Sequence, residues 1–186
     1  MHEPARRIPY RTWPGALAIA LAIGGYVGGL TWYDRRLPGV RSLAGRETVQ
    51  VGHVRFAPAA GWDLDVSRSR TGQSLMLVKG PGRFLVTTSA WAGGPDGPLV
   101  RQQRLMERGQ GLQLTGDITE FINPWGVQGV TFAYFGPTLT GRFWQVVDPQ
   151  RRSLVQVDFY SANDAFADAL VEAQSMLDAM DMEAPL

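Results

Sequence analysis

The hydropathy pattern of the chain changes character twice along its length. Trp13 to Tyr33 (WPGALAIALAIGGYVGGLTWY) is an uncharged run of twenty-one residues with no polar face. As a helix rising ~1.5 Å per residue it would measure about 31 Å, close to the ~30 Å of a bilayer core, and it predicts a transmembrane helix over 13–33. Residues 34–48 (DRRLPGVRSLAGRET) are polar and broken by Pro38, Gly39 and Gly45, as in a juxtamembrane linker. Beyond them apolar and polar positions alternate with period two. Residues 49–56, 62–66, 75–79 and 84–91 read as strands, the last two joined as a hairpin through Gly80-Pro81-Gly82-Arg83. Pro98, with Asp96 as cap, opens a helix that runs to about Arg108 and stops at Gly109-Gln110-Gly111. Leu99, Val100, Gln103 and Met106 share one of its faces; Arg101, Arg104 and Arg108 share another. Strands return at 118–122, 129–136, 141–148 and 153–160, with a turn at Asp148-Pro149-Gln150-Arg151 between the last two. An amphipathic helix over 164–180 closes the chain. Phe166, Leu170, Ala173, Leu177 and Met180 fall on its inner face, and Ser161 or Asn163 can cap it.

Consecutive hairpins make the sheet mostly antiparallel, and the helices must cover its apolar faces. The fold class is therefore α+β: an N-terminal transmembrane helix, then a sheet sandwiched by helices. The organisation is a short tail (1–12), the span (13–33), the linker (34–48) and one domain (49–186).

Arg6, Arg7 and Arg11 precede the span and Arg35, Arg36 and Arg41 follow it, so the positive-inside count barely discriminates. Long domains translocate largely regardless of charge, which favours a cytoplasmic N-terminus and an extracytoplasmic domain at the plasma membrane. A cleaved signal peptide would need a shorter apolar core and small residues near its end. LTWYDRRL is bulky there, so the segment reads as an uncleaved signal-anchor. Small residues recur every fourth position at Ala16, Ala20, Gly24 and Gly28, a stripe that could pack against a second helix in lipid.

Composition narrows the chemistry. The chain has 186 residues, a formal net charge of +1, no Cys and two His. No overall field draws it to nucleic acid, and a disulfide framework, a thiol nucleophile and lipoprotein attachment through Cys are excluded. His53 would have to serve any Ser-His-Asp set, and no G-x-S-x-G elbow accompanies it. With His2 in the tail, His53 also lacks a second imidazole for a metal. Asp63 with Asp65, and Asp117 with Glu120, are the candidate carboxylate pairs, though nothing in the sequence sets either across a cleft. No phosphate-binding glycine loop is present. The expected catalytic, cofactor and metal sets are accordingly empty.

Two surface features remain. No basic residue follows Arg152, and Asp164, Asp168 and Glu172 form an i, i+4, i+8 acidic ladder. It is either a solvated face, or one balanced by Arg101, Arg104 and Arg108, or a docking strip for a basic partner. Trp125, in Asn123-Pro124-Trp125-Gly126, reads as an indole carried on a loop, the kind of residue that anchors partners.

The segment Val54-Arg55-Phe56-Ala57-Pro58-Ala59-Ala60-Gly61-Trp62, and the hairpins from Gly126 to Tyr160 that feed the terminal helix, resemble the PsbP-like fold. Versions of that fold occur in actinobacterial envelope proteins of the LpqN and trehalose monomycolate transport factor type. The resemblance, over 49–181, implies a non-catalytic accessory that binds a membrane protein partner or a lipid in envelope assembly or transport. Two alternatives stand beside it: a carboxylate-dependent envelope hydrolase, and a structural homodimer held by the glycine stripe.

Overall fold

The computed structural model describes residues 13–34, 39–43, 47–94 and 96–182, with side chains at all of these except 13, 14, 30–34, 109 and 110. The chain divides into two units, Met1–Pro38 and Gly39–Leu186.

The first unit contributes helix α1 (Trp13–Asp34), 22 residues long. Its described apolar side chains are exposed all round; Leu17, Ile19, Leu21 and Ile23 range from 51% to 68% accessible. Among the described residues no helix is long and apolar enough to cross a membrane. The part of α1 with described side chains, 15–29, would rise only ~22 Å.

The second unit contains ten strands and two helices among the described residues: β1 (Val40–Ser42), β2 (Val49–Val51), β3 (Val54–Phe56), β4 (Asp63–Asp65), β5 (Ser74–Lys79), β6 (Gly82–Ala90), α2 (Asp96–Gln110), β7 (Gln113–Ile122), β8 (Gln128–Phe135), β9 (Leu139–Asp148), β10 (Ser153–Ala162) and α3 (Phe166–Asp178). Eight strands form one sheet in the order β1-β4-β5-β6-β10-β9-β8-β7, every neighbouring pair antiparallel. On one face α3 and the separate β2–β3 hairpin bury Phe84, Val86, Trp144, Val155, Val157 and Phe159. On the other, Leu99 and Met106 of α2 close over Phe132, Tyr134 and Phe143. The architecture is the expected α+β one, with period-two burial down β6 and β10.

Local expectations differ in several places. Val100, expected on the inner face of α2, is 48% exposed, and Asp96, expected as its cap, is its first residue. Residues 49–56 are two strands: Gly52 and His53 form their turn, with Gly52 at φ +55°. A glycine at positive φ in the first central position suits a tight hairpin turn, and here it stands where the alternation shifts phase, between Val49 and Val51 on one side and Val54 and Phe56 on the other. Strand β1 lies inside the segment expected as linker and pairs with β4, Val40 opposite Asp65. Helix α3 has no side-chain cap; its N-cap is Ala165. Ser161 is buried, its hydroxyl without a partner, while Asn163 accepts from Thr140 Oγ1 at 2.8 Å and donates to the Pro137 carbonyl at 3.3 Å. The acidic ladder and the arginines of α2 belong to opposite faces of the sheet, so they do not balance each other.

Candidate functional site

Gly61-Trp62 delivers an indole into the core. Trp62 is 2% exposed and meets Phe84 and Phe159 edge-on. Its Nε1–H donates to Glu172 of α3 at 2.7 Å, and Lys79, the sole lysine, donates to the same carboxylate at 2.7 Å. The Lys79 hydrogen bond holds the Glu172 carboxyl below its ordinary pKa, with help from Trp62. Glu172 thus ties α3 to the sheet, while Asp164 and Asp168 stay exposed.

Trp125 is exposed, 66% accessible, and its loop is built to hold it out. Buried Asn123 accepts from the backbone N–H groups of Trp125 at 3.1 Å and Val127 at 2.9 Å, and donates to the Met180 carbonyl at 3.3 Å. Gly126, at φ +78°, completes the turn. A side chain displayed on a backbone fixed by buried hydrogen bonds loses little freedom on contact with a partner. The indole borders a depression of about 860 Å³ that also takes in Asp148, Arg151 and Asp181.

A larger groove of about 1150 Å³ opens where β5 and β10 begin and β6 ends. Two separate segments bring arginines to it. Arg68 ends the 3₁₀ turn Val66–Arg68, Arg70 opens the turn into β5, and Arg151 and Arg152 close the β9–β10 hairpin. Arg68 lies 3.8 Å from Asp65, and Arg151 pairs with Asp148 at 3.0 Å. Arg70 and Arg152 have no carboxylate partner among the described residues. Arg152 holds a left-handed backbone, φ +51°, with its carbonyl accepting from Trp91 N–H at 2.7 Å. Met76 and Leu85 supply an apolar stretch of the lining.

His53 and Ser153 stand at this groove, both buried, with Ser153 Oγ and His53 Nε2 3.2 Å apart. Burial, and then the charge of Arg151, lower the His53 pKa, which keeps the ring neutral near pH 7. The pair has the first contact of a Ser-His-Asp set, but no carboxylate hydrogen-bonds the imidazole among the described contacts. Its effect is to brace the β2–β3 turn against β10. The carboxylate pairs do not converge either. Asp65 is spent on the 3₁₀ turn, accepting from Ser67 Oγ at 2.6 Å and Arg68 N–H at 3.2 Å. Asp117 and Glu120 are exposed on the edge strand β7. Among the described residues no three His, Cys, Asp or Glu cluster to hold a metal.

The arginine groove was not legible in the sequence, because its cations are about eighty residues apart. The signal that could have flagged them is two basic doublets at turns, Arg68-Ser69-Arg70 and Arg151-Arg152, each close to glycine or proline.

No protein-family profile matches the chain, and no curated protein matches it. Solved structures do. The cyanobacterial PsbP of Synechocystis sp. PCC 6803 is similar at TM-score 0.55 and 13% identity, over 75% of this chain and 94% of that one. The Ran-binding protein Mog1p of Saccharomyces cerevisiae gives TM-score 0.49 at 8% identity, over 75% of this chain and 97% of its own. The domain has a PsbP-like fold; at these identities the likeness extends to the fold alone.

Proposed function

We propose that this chain is a single-pass, membrane-anchored accessory protein whose PsbP-like domain lies outside the plasma membrane and binds a membrane protein partner or lipid in cell-envelope assembly or transport, as in the actinobacterial type that the sequence resembles. The observation that carries this reading is α1. Its helical backbone covers the whole uncharged run from Trp13 to Tyr33, and its described side chains are apolar and exposed on every side. A helix apolar all round is suited to lipid or to a protein interior. The binding role rests on Trp125 held out on its braced loop, and on the groove rimmed by arginine.

The absence of cysteine makes the test simple. A single cysteine introduced at exposed Ser175 should react with a membrane-impermeant maleimide in right-side-out vesicles, and alkaline carbonate should leave the chain in the membrane fraction. Labelling only after the vesicles are opened, or release by carbonate, would overturn the reading.

A further inference from the structure

We infer that the groove between Arg70 and Arg152 is a binding site for a phosphate-bearing amphiphile, with the phosphate between the guanidiniums and the hydrocarbon along Met76 and Leu85. This deepens the lipid-binding reading above and takes its biological setting from it.

Charge is the first argument. Four arginines meet two carboxylates at this end of the sheet, Asp65 on Arg68 and Asp148 on Arg151. Arg70 and Arg152 are exposed and have no carboxylate partner among the described residues. Guanidinium forks match phosphate oxygens in geometry and give charge-assisted hydrogen bonds. The second argument is shape and lining. A volume of about 1150 Å³ greatly exceeds a bare phosphate and suits a ligand of drug size or larger. The groove includes Met76 and half-buried Leu85 on the sheet face away from α3. Met76 and Leu85 face each other across the strands and give a hydrocarbon tail an apolar stretch, while Ser74 and Thr87, the next pair on that face, offer hydroxyls on the side of Arg70. The third is the backbone at Arg152. A non-glycine residue at φ +51° costs free energy, and a glycine would remove that cost, yet an arginine stands there. Nucleic acid fits less well, because no Phe, Tyr or Trp side chain lines the groove for base stacking and His53 is buried against Ser153.

The test uses the full chain in an uncharged detergent, which keeps it in solution whether or not α1 enters bilayers. Dihexanoyl phosphatidic acid, dihexanoyl phosphatidylcholine, inorganic phosphate and a poly-glutamate peptide are titrated in parallel. The phosphatidic acid should bind at least tenfold more tightly than each of the other three. Arg70→Gln and Arg152→Gln should each weaken it about tenfold, and Leu85→Asn should weaken it while leaving the weak phosphate signal unchanged. Arg152→Gly should weaken binding as much as Arg152→Gln, with a Tm at or above wild type because it relieves the left-handed backbone, so loss of fold cannot account for the result. Equal binding of the two lipids, phosphate as tight as the phosphatidic acid, or preference for the acidic peptide would each overturn the site. None of these outcomes touches the anchor, which carbonate extraction tests by itself.

Discussion

Asp158 and Tyr134 show how one residue's missing side chain sets another's chemistry. Tyr134 on β8 lies opposite Gly141 on β9, and a Cβ built at Gly141 would collide with the Cζ and hydroxyl end of the tyrosine ring. The glycine lets the ring lie across β9 so that the phenol donates to Asp158 on β10 at 2.6 Å. Burial pushes the Asp158 carboxyl up to about 6, partly offset by that hydrogen bond, and burial together with the Asp158 charge raises the tyrosine. A raised folded-state pKa means that the folded chain holds the proton more tightly, so this group adds stability on acidification from about pH 6 towards 3.8. Asp158→Asn, which still accepts from Tyr134, should therefore stabilise the protein by roughly 2 kcal/mol at pH 8, with the gain vanishing near pH 4. Denaturant melts at the two pH values check this, and a pH-independent difference would refute it. His53 runs the other way: its lowered pKa means that stability is complete above about pH 6.5 and is lost as pH falls. Gly141→Ala should cost about 3 kcal/mol in the same melts by forcing the Tyr134 ring aside.

Helix α3 is the element on which local pattern and tertiary packing agree most closely. Its expected inner face is its observed one, with Ala173, Leu177 and Met180 buried. The acidic ladder on the same helix divides, because Glu172 turns to Trp62 and Lys79. The Lys79–Glu172 pair is more than a third exposed on both sides, so solvent screening leaves it worth less than about 1 kcal/mol. Loss of the acceptor for a buried indole N–H costs more, about 1–3 kcal/mol. Glu172→Ala should thus destabilise by about 2 kcal/mol and Glu172→Gln by under about 1 kcal/mol, since glutamine still accepts from Trp62. Equal losses in thermal melts would place the effect in the ion pair. Strand β7 is the contrasting element. It was expected only from 118, but begins at Gln113 and runs along the sheet edge, its register with β8 shifting between Thr115 and Thr119. Period-two reasoning fails across such an irregularity, since one extra residue exchanges the inward and outward faces.

At the scale of the whole molecule, the boundary of the folded domain is the quantity most open to test. Strand β1 covers the edge of β4, so a chain starting at Gly39 should melt like the full-length domain and, on the proposed anchoring, leave the membrane fraction. One starting at Val49 should lose about 1–2 kcal/mol by exposing that edge. Identical melts for the two truncations would show β1 to be dispensable. The sequence by itself determined the order of the strands and helices from 62 to 180, their antiparallel pairing and the inner face of α3. These follow from periodicity and turn chemistry, which are local. It also determined the uncharged run that α1 occupies. Only the tertiary structure decided that Gly52-His53 is a turn, that Gly141 yields its space to Tyr134, and that the one lysine meets Glu172 ninety-three positions away. It alone brought Arg68 and Arg70 to Arg151 and Arg152 at one groove. Contacts between residues so far apart are set by strand order and register, and neither is encoded in the neighbourhood of any one of them.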